Sequence, residues 1–161
     1  MSLEQLSDKV RMLLRDHAID NFVNEARWIV AETLHISNGT LLSEPSRVVS
    51  AAQVRDVLAA TQRRIAGEPL SYILGSADFC GFEFDVDSRV LIPRPETEQI
   101  VEIVAAALNG AESPRCLEVG VGSGCIAISL LLKVSNLTMV ATDISPEALE
   151  LCRHNAEKHG V

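Results

Sequence analysis

Two carboxylates and a run of glycines carry the chemistry open to this sequence. Glu118 lies in a short apolar run, Cys116 to Val119, and Gly120, Gly122 and Gly124 follow at alternate positions. A second apolar run with helical spacing, Cys125-Ile126-Ala127-Ile128, comes next. This order predicts a strand, a tight turn and a helix. Glycine is required where the backbone takes unusual dihedrals, or where a ligand must reach the main chain without meeting a Cβ. The stretch reads as a nucleotide-type binding turn, against the plainer reading of a glycine-rich turn that holds nothing. Asp143 closes a later apolar run, 137–142. At the carboxyl end of a strand its side chain can accept hydrogen bonds from both hydroxyls of an adenosine ribose, or it can cap the helix that follows.

The glycine spacing discriminates between ligands. A dinucleotide fingerprint, G-x-G-x-x-G, places glycines where a pyrophosphate meets a helix N-terminus, and would need glycine at position 125. Cys125 stands there, which disfavours a nicotinamide-dependent dehydrogenase. The pattern acidic-x-G-x-G-x-G from Glu118 to Gly124 instead resembles the first motif of S-adenosylmethionine-dependent methyltransferases, whose cofactor carries no phosphate. A carboxylate beside the loop suits that cationic ligand.

The elements that must position these residues follow from periodicity. Strands over 116–119 and 137–142, a helix from Gly124 to about Lys133, and another starting at Ser145-Pro146-Glu147 and running to about His159 give β-α-β-α, the opening of a parallel doubly wound sheet. Upstream, Phe82, Phe84 and Val86 alternate with acidic residues, which predicts a half-exposed strand. Val90-Leu91-Ile92 is expected to return beside it as a β-hairpin after Asp87-Ser88. In Ile92-Pro93-Arg94-Pro95-Glu96-Thr97-Glu98 two prolines fix an extended approach, and Glu96 and Glu98 begin a helix to about Leu108. Acidic residues in a first helical turn suit the macrodipole, so this pair need not mean acid-base catalysis.

Before the hairpin, apolar spacing predicts amphipathic helices over 3–18, 21–36 and 50–66, with Asn38-Gly39 and Pro45 in a loop and Gly67-Glu68-Pro69 breaking the third. Trp28 is expected in the core, and Arg11, Arg15, Arg63 and Arg64 on a solvated face. His17 and His35 fall near helix ends, where a polar or positive group is favourable, and carry no assigned chemistry. The fold class is therefore α/β: an N-terminal helical domain over 1–74, then a β-hairpin and the first half of a Rossmann-like sheet over 75–161.

Bulk properties set limits on partners. A chain of 161 residues can bury roughly two-thirds of its unfolded surface. Its net charge of −8 gives no general attraction to nucleic acid. Four cysteines, Cys80, Cys116, Cys125 and Cys152, form no C-x-x-C pair or metal-like spacing with histidine, which points to small core residues in a reducing, cytoplasmic compartment. Neither a signal peptide at Met1-Ser2-Leu3-Glu4-Gln5 nor an apolar run of membrane-spanning length is present, so no membrane association is expected.

With these parts placed, the chain resembles the HemK/PrmC family of protein-glutamine N5-methyltransferases that modify peptide-chain release factors. The resemblance rests on Gly67-Glu68-Pro69-Leu70-Ser71-Tyr72-Ile73-Leu74-Gly75, Phe79-Cys80-Gly81-Phe82-Glu83-Phe84, Val90 through Glu98, and Glu118 to Ile128 with Asp143. It implies a helical substrate-recognition domain over 1–74. It implies, too, that Gly120, Val121, Gly122, Ser123 and Gly124 line the S-adenosylmethionine site, with Asp143 on the ribose and Glu118 near the methionine amino end. The implied reaction moves the sulfonium methyl to the side-chain amide nitrogen of the glutamine in a release factor's Gly-Gly-Gln motif. An amide nitrogen is a poor nucleophile, and the family orients it with an Asn-Pro-Pro-Tyr motif that these 161 residues do not contain. The expectation is a truncated chain with little or no transferase activity by itself and a tendency to self-associate through uncovered sheet. Two other readings compete: a non-catalytic protein-interaction module, and a methyltransferase acting on DNA adenine, which the acidic charge disfavours.

Overall fold

The structure is a computed structural model that describes residues 1–161. It divides into two units, Met1–Leu74 and Gly75–Val161.

The first unit is helical: α1 (Leu3–Asp16), α2 (Phe22–Thr33), α3 (Asn38–Ser43), α4 (Ala51–Ile65) and α5 (Leu70–Leu74). Leu3, Leu6, Val10 and Leu14 recur at helical spacing and bury one face of α1 against Ala26, Ile29 and Val30 of α2 and Val57 and Ala60 of α4. Capping boxes start α1 and α4, with Ser2 and Ser50 as N-caps and Gln5 and Gln53 answering them.

Three details differ from the sequence reading, and a fourth, the short helix at Leu70–Leu74, lies outside it. The Asn38-Gly39 loop is the first turn of α3, because the Ser37 hydroxyl caps it by accepting from the Thr40 N–H. Leu70–Leu74 closes into a short helix after Pro69, whose carbonyl accepts from the Tyr72 and Ile73 amides. Trp28 is 39% exposed, since successive residues turn about 100° around a helix and the fully buried Ile29 and Val30 define the inner face. Arg64 leaves the solvated face: its Nε donates to Glu25 Oε2 at 2.6 Å and its Nη2 to Oε1 at 3.2 Å, and Glu25 is itself buried.

The second unit begins with an antiparallel hairpin, β1 (Ser76–Phe79) and β2 (Phe82–Asp85), joined by Cys80 and Gly81. Both connecting residues have positive φ, +53° and +80°, as a two-residue hairpin turn of the type that matches strand twist requires. The partner of β2 is therefore the strand before it, and Val90-Leu91-Ile92 forms no strand, contrary to the expected pairing. A 3-10 turn at Pro95–Thr97 leads into α6 (Glu98–Ala107).

Then come β3 (Arg115–Val119), α7 (Cys125–Lys133), β4 (Thr138–Thr142) and α8 (Pro146–His159). β3 and β4 pair in parallel with Arg115 opposite Thr138 and Val119 opposite Thr142, the β-α-β-α start of a Rossmann-like sheet. Phe79, Phe84, Val101, Ile128, Leu130 and Leu137 form this unit's core, with Phe79 and Phe84 edge to face at 6.2 Å. Along β3, period-2 alternation leaves Leu117 and Val119 exposed and turns Cys116 and Glu118 inward. No helix is long and apolar enough to cross a membrane.

Candidate functional site

β3 delivers Glu118 to the base of the turn that precedes α7, and β4 ends beside that turn. The Thr142 carbonyl accepts from the Gly120 N–H at 2.8 Å and the Val121 N–H at 3.0 Å. The turn closes on itself when the Gly124 N–H donates to the Val121 carbonyl at 2.9 Å. Gly120, Gly122 and Gly124 all have positive φ, but they face different surroundings. A Cβ on Gly120 or Gly122 would meet open space, whereas one on Gly124 would lie 2.7 Å from Ile128 Cδ1 and 2.8 Å from Cys152 Sγ. The third glycine thus lets the loop pack against α7 and α8, and the first two leave bare backbone toward the cleft.

That cleft is about 150 Å³. It is lined by Glu118 with the loop from Gly120 to Ser123, by Cys125 and Ile126 at the start of α7, and by Leu91 through Arg94 with Thr97. The proline segment, which reads as a helix approach in the sequence, is a wall of the site. Glu98 has a second role as well, since its Oε1 accepts from the Cys80 N–H at 2.9 Å and ties α6 to the hairpin turn.

Two buried polar atoms in the cleft wall make no hydrogen bond: Glu118 Oε2 and Ser123 Oγ. Burial pushes the Glu118 carboxyl up to about 7 even though a hydrogen bond from the Ala127 backbone pulls the other way. Unsatisfied buried polar groups are costly and uncommon, and a carboxylate oxygen without a donor is the complement of a cationic one. Burial likewise pushes the Cys125 thiol up to about 11, so it lines the site as an inert, neutral side chain.

Asp143 is held from both sides. Its Oδ2 accepts from the Gly122 N–H at 2.9 Å and its Oδ1 from the Ser145 N–H at 3.0 Å, and these two bonds, Ser145 first, hold the carboxyl below its ordinary range. The cap of α8 is Ser145, whose Oγ accepts from the Ala148 N–H at 3.1 Å. Capping is therefore not the work of Asp143. Each of its oxygens keeps a second lone pair, enough for two further hydroxyl donors.

The structure thus brings Glu118, Gly120, Val121, Gly122 and Ser123 together on one cleft, sets Asp143 directly on Gly122, and places Gly124 behind the loop as packing. Sequence reasoning missed Asn155, a fully buried polar side chain on α8 that hydrogen-bonds the Ser123 carbonyl. A lone asparagine in an amphipathic helix gives no signal of that kind.

Two family models account for nearly the whole chain. A PrmC N-terminal domain matches residues 5–75 and a methyltransferase small domain matches residues 77–161. The chain is 40% identical over 141 residues to a release factor glutamine methyltransferase of Chlorobaculum tepidum, covering 84% of this chain and 48% of that protein. It is 33% identical over 160 residues to the protein of that name in Geobacter sulfurreducens, covering 99% of this chain and 56% of the relative. A bifunctional methyltransferase of Rickettsia bellii is 32% identical over 186 aligned positions, covering 99% of this chain and 34% of the relative. The chain spans about half the length of the release factor glutamine methyltransferases it matches. With a PrmC N-terminal domain followed by a methyltransferase small domain, and an acidic-x-G-x-G-x-G loop set between β3 and α7, the chain belongs to the HemK/PrmC family of methyltransferases.

Proposed function

We propose that the loop over 120–124, with Glu118 and Asp143, holds S-adenosylmethionine, and that the parent activity methylates the side-chain amide of the Gly-Gly-Gln glutamine in peptide-chain release factors. The observation that carries the donor site is the unpaired, buried Oε2 of Glu118. It suits an ammonium or sulfonium and repels a phosphate, which favours this donor over a dinucleotide. A cleft of about 150 Å³ is smaller than the ~300–1,000 Å³ of whole-ligand pockets, so it fits one end of the molecule rather than all of it. When bound, S-adenosylmethionine supplies a methyl group on a positively charged sulfur. The chain's own residues orient it: Glu118 at the cationic end, bare backbone at Gly120 and Gly122 alongside, and Asp143 offering its remaining lone pairs to the ribose hydroxyls.

The release-factor substrate rests on the names of the relatives, and the role of residues 1–74 in substrate recognition on the PrmC N-terminal match. The net charge of −8 supports a protein substrate over DNA adenine and a site with no direct nucleic-acid contact. A cytoplasmic location fits four unpaired cysteines. Exposed Leu117, Val119 and Val140 support self-association of the chain at high concentration. Without an Asn-Pro-Pro-Tyr motif, the 161 residues alone are expected to bind the donor but transfer methyl to a release factor slowly or not at all.

The test compares S-adenosylhomocysteine with 5′-methylthioadenosine, which keeps the adenosine and lacks the amino-acid end. Binding at least about tenfold weaker for the truncated ligand, with the difference abolished by Glu118→Gln, supports the reading; a charge-assisted hydrogen bond is worth about that much. Equal affinities would refute the role of Glu118. The interaction-module reading would gain if neither ligand bound.

A further inference from the structure

Asn155 is fully buried on α8 and makes three hydrogen bonds, all to backbone. Its Oδ1 accepts from the Asp85 N–H at 2.9 Å, and its Nδ2 donates to the Asp85 carbonyl at 3.0 Å and the Ser123 carbonyl at 2.9 Å. Both amide hydrogens are used. Toward the hairpin, the side chain pairs with the outer N–H and C=O of β2 as a neighbouring strand would, since Asp85 faces Ser76 of β1 across the ladder. Toward the loop, it holds the carbonyl that precedes Gly124.

That carbonyl matters because a peptide group is planar. The Ser123 C=O and the Gly124 N–H belong to one plane, and the N–H closes the turn on Val121. Asn155 anchors one end of the plane and the Val121 carbonyl the other. Lys158 with Glu83 and Asp85, His154 with Asp85, and the His159 ring with the Glu83 carbonyl also join α8 to the hairpin, but these contacts are exposed and none reaches the loop.

We propose that Asn155 is the positioning residue of the donor loop, fixing the 123–124 peptide so that the loop backbone is set before a ligand arrives, and linking it to the hairpin through Asp85. The proposal rests on the reading of this loop as the donor site. Removing the amide would leave the buried Ser123 carbonyl without a donor and free the peptide plane to rotate.

The experiment uses Asn155→Leu at pH 7. This variant is close to asparagine in shape, carries no polar atom, and loses all three side-chain bonds. By amide hydrogen exchange on the free chain, Gly124 is expected to exchange at least about tenfold faster, the equivalent of one buried hydrogen bond, while Leu108 at the end of α6 stays within about twofold. Unchanged protection at Gly124 overturns the proposal. In the same variant, affinity for S-adenosylhomocysteine is expected to fall by about tenfold; unaltered affinity overturns it too. If the wild-type chain fails to bind this ligand, the donor-site reading fails, while exchange at Gly124 still decides whether Asn155 positions the loop. Should the variant not fold, the wild type decides: its Asn155 Nδ2 protons are expected to exchange as slowly as the Gly124 amide, and exchange at the rate of a free side-chain amide overturns the assignment.

Discussion

Glu118→Gln should make the protein more stable above neutral pH while weakening its hold on the methyl donor. A carboxyl shifted from its ordinary 4.5 to about 7 is disfavoured in its ionised form by up to about 3 kcal/mol, at ~1.4 kcal/mol per pH unit. Glu118 is only partly buried, so screening by solvent reduces this to about 1–2 kcal/mol. The sign follows from proton counting. Between pH 4.5 and 7 the folded state keeps the Glu118 proton and the unfolded state has lost it, so stability falls as pH rises through that window. Below the window the contribution is whole, and above it the loss is complete. Glutamine has the same shape, keeps an oxygen for the Ala127 N–H, and does not titrate. Urea unfolding at pH 4.5 and pH 8 for both proteins reads the effect, with the variant gaining about 1–2 kcal/mol on the wild type between the two pH values. If the stability difference were the same at both pH values, burial of an unpaired carboxylate could not be what sets the site's electrostatics.

Two further perturbations probe how the units are built. Gly124→Ala meets Ile128 and Cys152 at 2.7 and 2.8 Å with φ at +85°. Left-handed strain of ~1–2 kcal/mol and overpacking of ~1–3 kcal/mol should together lower Tm by about 10 °C or more, and a thermal melt within 3 °C of wild type (roughly one-third of that) would contradict the packing role. Arg64→Ala leaves Glu25, with a side chain only 10% exposed, without its partner and should cost about 2–4 kcal/mol in urea unfolding. The double replacement with Glu25→Ala should cost less than the two single losses added, and strict additivity would show the pair to be uncoupled.

The parts of the fold legible in the sequence are those fixed by local pattern. The apolar run at β3, the glycine run and the Ser145-Pro146 start of α8 all announce themselves within a few residues, and the β-α-β-α order follows. Legibility fails where a distant partner decides. Val90-Leu91-Ile92 has strand composition, yet the positive-φ turn at Cys80-Gly81 had already paired β2 with the preceding strand and left this segment to wall the cleft. Arg64 reads as solvated until Glu25, far away in sequence, buries beside it. Trp28 reads as core because of its chemistry, but Ile29 and Val30 set the helix face. At the site, Glu118 and the glycines are visible as a motif, whereas the absence of any donor for Glu118 Oε2 and the three bonds of Asn155 exist only in three dimensions.

The most direct test of the donor site is calorimetric titration of S-adenosylmethionine into the 161-residue chain and its Asp143→Ala variant. Asp143 fixes Gly122 and its oxygens keep further lone pairs, so its loss removes both a loop anchor and the acceptors proposed for the ribose. Saturable one-to-one binding by the wild-type chain, reduced at least about a hundredfold in the variant, is the predicted result, since two hydrogen bonds to a charged group are worth about 3 kcal/mol. Undiminished binding by a folded Asp143→Ala variant would contradict it.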